Sequence, residues 1–151
     1  SAGGWPTREE LRAMSWMAIV EGARGLFYWS FGNRGLAWVK DPREREQRWQ
    51  DLVQVTKEIK ALEPVLLGGD ATILANEPGA SLRTLGKRGP DGARYLFAYN
   101  TGNARASATW TLAEPARTVE DLDGGPAPAL GNGTRFSVEL GPYGIKRLRI
   151  R

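Results

Sequence analysis

The stretch Arg24-Gly25-Leu26-Phe27-Tyr28-Trp29-Ser30-Phe31 decides how this chain is read. Leu26 to Trp29 is an unbroken apolar run of strand-favouring residues with no alternation. That is the pattern of a strand buried on both faces, as in a parallel sheet. Such a strand needs neighbours, because unpaired N–H and C=O groups are costly when buried and adhesive when exposed. Everything after Gly68 reads instead as antiparallel β-structure. Either the sheet to which Leu26–Trp29 belongs is missing from this chain, or another copy supplies it.

Helices flank the run on both sides. Upstream, Pro6-Thr7-Arg8-Glu9-Glu10 is a helix start, with Thr7 as N-cap and Glu10 completing a capping box. Apolar residues from Leu11 to Val20 lie on most sides of that helix, which predicts a buried one, and Gly22 is its expected stop. Downstream, Asp41-Pro42-Arg43-Glu44 opens a second helix with an Asp cap and Pro at its first position. Its periodic residues Trp49, Leu52, Val53, Thr56 and Ile59 predict one buried stripe, and Pro64 is expected to end it near Glu63.

From Val65 the period shifts from helical to alternating, and Gly and Pro become frequent. Strands are expected at Ala71–Ala75, Ala80–Lys87, Ala93–Asn100, Ala104–Leu112, Arg117–Leu122, Thr134–Leu140 and Gly144–Ile150. Turn chemistry separates them, as in Gly89-Pro90-Asp91-Gly92 and Gly131-Asn132-Gly133. The expected fold is α+β: a helix–strand–helix lead-in over residues 1–67, then an antiparallel β-sandwich of about seven strands over residues 68–151.

Composition narrows the chemistry. The 151 residues include 41% hydrophobic and 25% charged side chains, those of a globular protein. No apolar run approaches the ~20 residues of a membrane helix, so no membrane partner is expected. There is neither Cys nor His, which removes disulfides, thiolate nucleophiles, the usual zinc ligand and the usual general base together. The glycine-rich turns lack the context for phosphate binding, and no cofactor is indicated. The net charge of +4 is carried mostly by scattered Arg, and a solvated surface is preferred to a nucleic-acid patch. The chain opens Ser1-Ala2-Gly3-Gly4 without an initiator Met and reads as processed or trimmed, so the lack of a leader says little about compartment.

Pro6-Thr7-x-Glu9-Glu10-Leu11-Arg12, Glu21-Gly22-Ala23-Arg24-Gly25-Leu26-Phe27-Tyr28-Trp29 and the stretch from Trp49 through Leu62-Glu63-Pro64 resemble the last turn of a (β/α)8 glycoside hydrolase. The resemblance is to the retaining clan that includes β-galactosidase- and cellulase-like barrels. Phe136 to Gly144 and Tyr95 to Asn100 are similar to the sandwich domain appended to such barrels. It implies that this is the C-terminal portion of a glycosidase whose catalytic glutamates lie before Ser1. The chemistry requires two carboxylates flanking one glycosidic bond, and the run ending in Trp29-Ser30-Phe31 supplies none. The implied partners are a poly- or oligosaccharide and the missing barrel, or a homo-oligomer or strand-exchanged dimer in its place. The resemblance slightly favours a secreted or periplasmic location.

Barrel active sites lie at the C-terminal strand ends. By that resemblance Trp29 is the candidate sugar-stacking platform, with Trp38 beside it and Asn33 and Arg34 donating to hydroxyls. Trp5 covers the same rim or staples the first helical turn. Phe27, Tyr28, Trp16, Trp49 and Trp110 are expected in cores. Tyr95, Phe97 and Tyr99 share a strand face for inter-sheet packing or for binding. Glu120-Asp121-Leu122-Asp123 is read as a solvated strand end rather than a calcium site. Two further readings are an autonomous carbohydrate-binding module and an anionic-polymer binder using Arg83, Lys87, Arg88, Arg94, Lys146, Arg147, Arg149 and Arg151.

Overall fold

The computed structural model describes residues 5–28, 36, 39–76 and 81–151, with the backbone alone for 74–76. Helix α1 spans Arg8–Val20, and Thr7 and Glu10 close the capping box at its start. Its end is a Schellman turn. Gly22 takes φ +98°, its N–H donates to the Ile19 carbonyl, and the Ala23 N–H reaches Ala18. Helix α2 spans Pro42–Ala61 with Asp41 as N-cap, and a one-turn helix α3 follows at Glu63–Leu66. Helix α2 thus ends three residues before Pro64, close to the stop expected near Glu63. The chain breaks at Leu62, and Pro64 sits in the first turn of α3, where its missing N–H costs nothing.

Seven strands are described: β1 Ile73–Asn76, β2 Leu82–Arg88, β3 Arg94–Asn100, β4 Ala106–Leu112, β5 Val119–Asp121, β6 Arg135–Leu140 and β7 Ile145–Ile150. They form two antiparallel sheets, ordered β1-β4-β6 and β2-β3-β7-β5. Between them lies one core, built from Leu96 and Ala98 of β3, Trp110 of β4, Phe136 and Val138 of β6, and Leu148 and Ile150 of β7. A second core lies on the opposite face of the four-stranded sheet. There Tyr95, Phe97 and Tyr99 meet Trp16, Ile19 and Val20 of α1, with Val65 of α3 alongside. The molecule thus has three layers: helices, four-stranded sheet, three-stranded sheet.

Several expectations are corrected here. Leu26, Phe27 and Tyr28 form neither strand nor helix; Trp29 lies outside the described residues. A parallel strand needs a neighbouring edge, and every described ladder is between other segments. Phe27 is not in a core but 84% exposed, and Tyr28 is half-buried. Trp49 lies at the edge of its helix face, 38% exposed, because only Val55 of α2 is fully enclosed. Met14 is also exposed, so α1 buries one side rather than most of its circumference. Tyr95, Phe97 and Tyr99 face the helices rather than the other sheet, and all three are buried.

Residues 69–71 run along β2 before the chain crosses to β1 in the other sheet, with the Ala71 N–H donating to Gly86 and Arg88 donating to Gly69. This approach needs a glycine at 86, where a Cβ would sit 2.1 Å from the Ala71 carbonyl oxygen. Gly86→Ala is expected to lower stability by about 1–3 kcal/mol in denaturant unfolding, because backbone rather than a side-chain tip must shift.

Candidate functional site

The four-stranded sheet turns an aromatic row toward the helices. Trp16 stacks on Phe97 with ring centroids 5.3 Å apart, and Tyr95 continues the stack at 6.4 Å. The Arg147 guanidinium lies over Trp16 at 5.2 Å and that of Arg149 over Tyr95 at 5.8 Å. The indole N–H of Trp16 donates to Glu58 of α2. Glu58 also accepts from Arg12 of α1 at 2.9 Å and pairs with Arg147 of β7 at 3.0 Å. Asp123, just past β5, accepts from Arg147 at 2.8 Å and pairs with Arg12. Two guanidiniums and two carboxylates therefore alternate around one point where α1, α2, β7 and the β5 end meet. Burial disfavours the charge on Arg12, but its hydrogen bond to Glu58 and the charge of Asp123 outweigh it, so its pKa is raised.

Sequence reading did not find this cluster. The available signal was positional: Arg147 and Arg149 alternate with the core residues Leu148 and Ile150 and so face the helix layer. The cluster also accounts for the acidic stretch at 120–123. Asp121 is paired with Lys146 at 2.7 Å and Asp123 with the two arginines, so it is not a merely solvated strand end. No group of acidic residues suited to a metal occurs among the described residues. A polar cleft of about 410 Å³ opens above the cluster, but Arg12, Glu58, Asp123 and Arg147 in its lining already engage one another.

A larger cleft, about 480 Å³, lies between the end of α1, the C-terminal half of α2, α3 and β2. Its floor is apolar, from Ile19, Leu26, Ile59, Leu66 and Leu85, and its rim carries Arg24, Lys60, Glu63, Asp70 and Lys87. Tyr28 lines it too, with its hydroxyl 2.8 Å from the Ser15 hydroxyl. Lys60 is bonded to Glu63, and Lys87 to Asp70 at 2.7 Å. The hydrogen bond and charge of Lys87 hold the Asp70 carboxyl below its usual range.

Trp29, Asn33, Arg34 and Trp38 lie outside the described residues. Trp5 is 38% exposed, with the Arg48 guanidinium of α2 over its ring at 5.4 Å. Trp16 and Trp110 are fully buried, the latter stacked on Phe136 at 5.7 Å.

No family model matches the chain, and no curated protein matches it in sequence. Solved structures do match. A GH27 β-L-arabinopyranosidase from Geobacillus stearothermophilus aligns with 99% of this chain and 33% of its own, at 16% identity and a TM-score of 0.59. A variant of that enzyme in complex with arabinose gives 15% and 0.60 over the same shares. A Bacteroides fragilis protein provisionally named α-galactosidase/melibiase aligns with 99% of this chain and 30% of its own, at 15% and 0.62. What is shared is the fold. The chain spans about a third of these glycoside hydrolases and corresponds to their C-terminal portion.

Two outcomes test the seam. Glu58→Gln should cost about 2 kcal/mol in denaturant unfolding, since the two arginines lose a charged acceptor in a half-buried setting. A Glu58→Met, Arg12→Met double variant should cost less than the sum of the single changes.

Alkaline pH gives a second test. Burial, with the hydrogen bond to Glu21 at 2.6 Å, pushes the Tyr99 hydroxyl up to about 12. An unfolded tyrosine titrates near ~10. The folded chain holds this proton longer, so the contribution to stability is complete below pH ~10 and is lost as pH rises through about 12. Unfolding midpoints measured across that window should fall more steeply for the parent chain than for Tyr99→Phe.

Proposed function

We propose that this chain is the C-terminal portion of a glycoside hydrolase, without the catalytic carboxylate pair and inactive alone. Residues 1–67 are its barrel-end segment, which carries the carbohydrate-contacting residues, and residues 68–151 its sandwich, which braces the barrel. One observation carries the reading. The likeness to these solved structures takes in the helical lead-in and the sandwich together, over 97–99% of the chain. A sandwich of independent origin would match over its own strands alone. The neighbours' names favour an α-galactosidase- or arabinopyranosidase-like parent over the β-galactosidase- or cellulase-like barrels of the sequence resemblance.

The chemistry of the described residues is consistent with this division of labour. Glu58, Glu63, Asp70, Asp121 and Asp123 are each held by a Lys or Arg, which suits structural clamps rather than an acid and nucleophile facing one bond. Carbohydrate contact is assigned to Trp29, Trp38, Asn33, Arg34 and Trp5. An autonomous binding module is disfavoured, because Tyr95, Phe97, Tyr99, Trp110 and Phe136 of the sandwich are all buried. An anionic-polymer site is disfavoured because Lys87, Lys146, Arg147 and Arg149 are spent on acidic partners.

Chromogenic α-galactosides and β-L-arabinopyranosides should give no turnover with the 151-residue chain; clear hydrolysis sinks the proposal. In affinity electrophoresis with soluble galactans and arabinans, retardation should weaken about tenfold or more in Trp29→Ala and Trp38→Ala, the loss of a stacking face. Retention by residues 68–151 alone at full strength favours the module instead.

A further inference from the structure

The turn between β6 and β7 places a bulky side chain where the backbone favours glycine. The Gly144 N–H donates to the Gly141 carbonyl at 3.0 Å, closing a turn with Pro142 and Tyr143 at its centre. Proline followed by a residue of positive φ makes a type II turn, whose second central position ordinarily takes Gly or Asn. Tyr143 occupies it at φ 51°, a conformation costly for a side chain of that size. Asn132 is the other non-glycine residue of positive φ among the described residues, and asparagine tolerates it. Burial does not offset the cost at Tyr143. The residue is 54% exposed, and its ring and hydroxyl have no partner among the described residues. The turn is nevertheless fixed from beneath. Asn100, 0% exposed, donates from Nδ2 to Ala104 at 2.7 Å and to Gly141 at 2.9 Å, and its Oδ1 accepts from the Gly102 N–H at 2.9 Å. The Tyr143 N–H donates to the Gly102 carbonyl at 3.1 Å. One enclosed amide thus ties the β3–β4 loop, with its exposed Thr101 and Asn103, to the turn that displays Tyr143.

We propose that Tyr143 is a carbohydrate-contacting residue of the sandwich, its ring stacking on one sugar of a neutral oligosaccharide and Thr101 and Asn103 bonding to hydroxyls. An aromatic ring offers the apolar face that a sugar ring covers, and a pre-set turn lowers the ordering cost of binding. The polar groups beside it are a hydroxyl and an amide, which suit hydroxyl groups. At the same end of β4 and β6, Arg105 and Glu139 neutralise each other at 2.6 Å. The surroundings therefore favour a neutral ligand over an anionic one. The sugar class rests on the glycosidase reading. The site adds to the contacts assigned to residues 1–67, and a single ring gives weak binding, short of an autonomous module.

Affinity electrophoresis of the 151-residue chain in soluble galactan and arabinan, with thermal midpoints recorded alongside, is the test. Tyr143→Gly should weaken retardation about tenfold, the loss of a stacking face. Its thermal midpoint should hold or rise, because glycine adopts φ 51° without strain. Tyr143→Phe, which keeps the ring, should keep most of the retardation. In a Trp29→Ala, Trp38→Ala chain the retardation that remains should be lost on adding Tyr143→Gly. Unchanged retardation in Tyr143→Gly overturns the proposal and leaves the glycosidase reading standing. A Tyr143→Gly chain that loses retardation only together with its thermal midpoint overturns it too, since the tyrosine is then structural. No retardation of the parent chain overturns this site and the contacts at residues 1–67 alike. Hydrolysis of the chromogenic glycosides by the chain instead overturns the reading of it as an inactive portion.

Discussion

The contact of Trp16 with Phe97 is what joins the helices to the sandwich. Its geometry is a near-parallel stack, 5.3 Å between centroids at 14°, with the Arg147 guanidinium also lying over the indole ring. Stacking itself is worth about 0.5–1.5 kcal/mol beyond burial. Enclosing the whole Trp16 side chain, which is 0% exposed, contributes more, about 3–5 kcal/mol by the usual cost of deleting a buried aromatic. The ion pairs around it are largely buried, their side chains 9–25% exposed, so their attraction is offset by the cost of desolvation. They set direction: Glu58 fixes the indole N–H, Arg12 and Arg147 fix Glu58, and Asp123 returns the network to the sandwich. Burial supplies most of the energy and the charges supply the register.

Much of this was legible from local sequence. Thr7 with Glu10, Asp41 with Pro42, and Gly22 each announce a helix end whose chemistry is complete within a few residues. The alternation Phe136-Val138-Leu140 likewise places β6 with one face inward. The difference at Leu26–Tyr28 has a physical cause. An unbroken apolar run states that both faces seek cover, but it does not say where an edge partner comes from. The same logic applied to Tyr95-Leu96-Phe97-Ala98-Tyr99 identifies the strand that is buried on both faces, between the sandwich core and α1. That strand is antiparallel, held by β2 on one edge and β7 on the other.

The candidate site was less legible because it is assembled from distant positions. Arg12, Glu58, Asp123 and Arg147 come from four elements, and none belongs to a motif. Charged residues at helical and strand positions read as surface until the opposing layer is known. Trp49 shows the converse: a tryptophan at stripe spacing remains partly open because α2 has more apolar face than the described residues cover.

The order of strands in the larger sheet has a consequence for biosynthesis. β7 follows every other described element along the chain, yet it lies between β3 and β5 and carries Arg147. A nascent chain emerging from the ribosome therefore exposes α1 and α2 long before the platform that receives them can close. Until the final strand is released, Trp16 can meet Phe97 of β3 but lacks the Arg147 guanidinium that completes its enclosure.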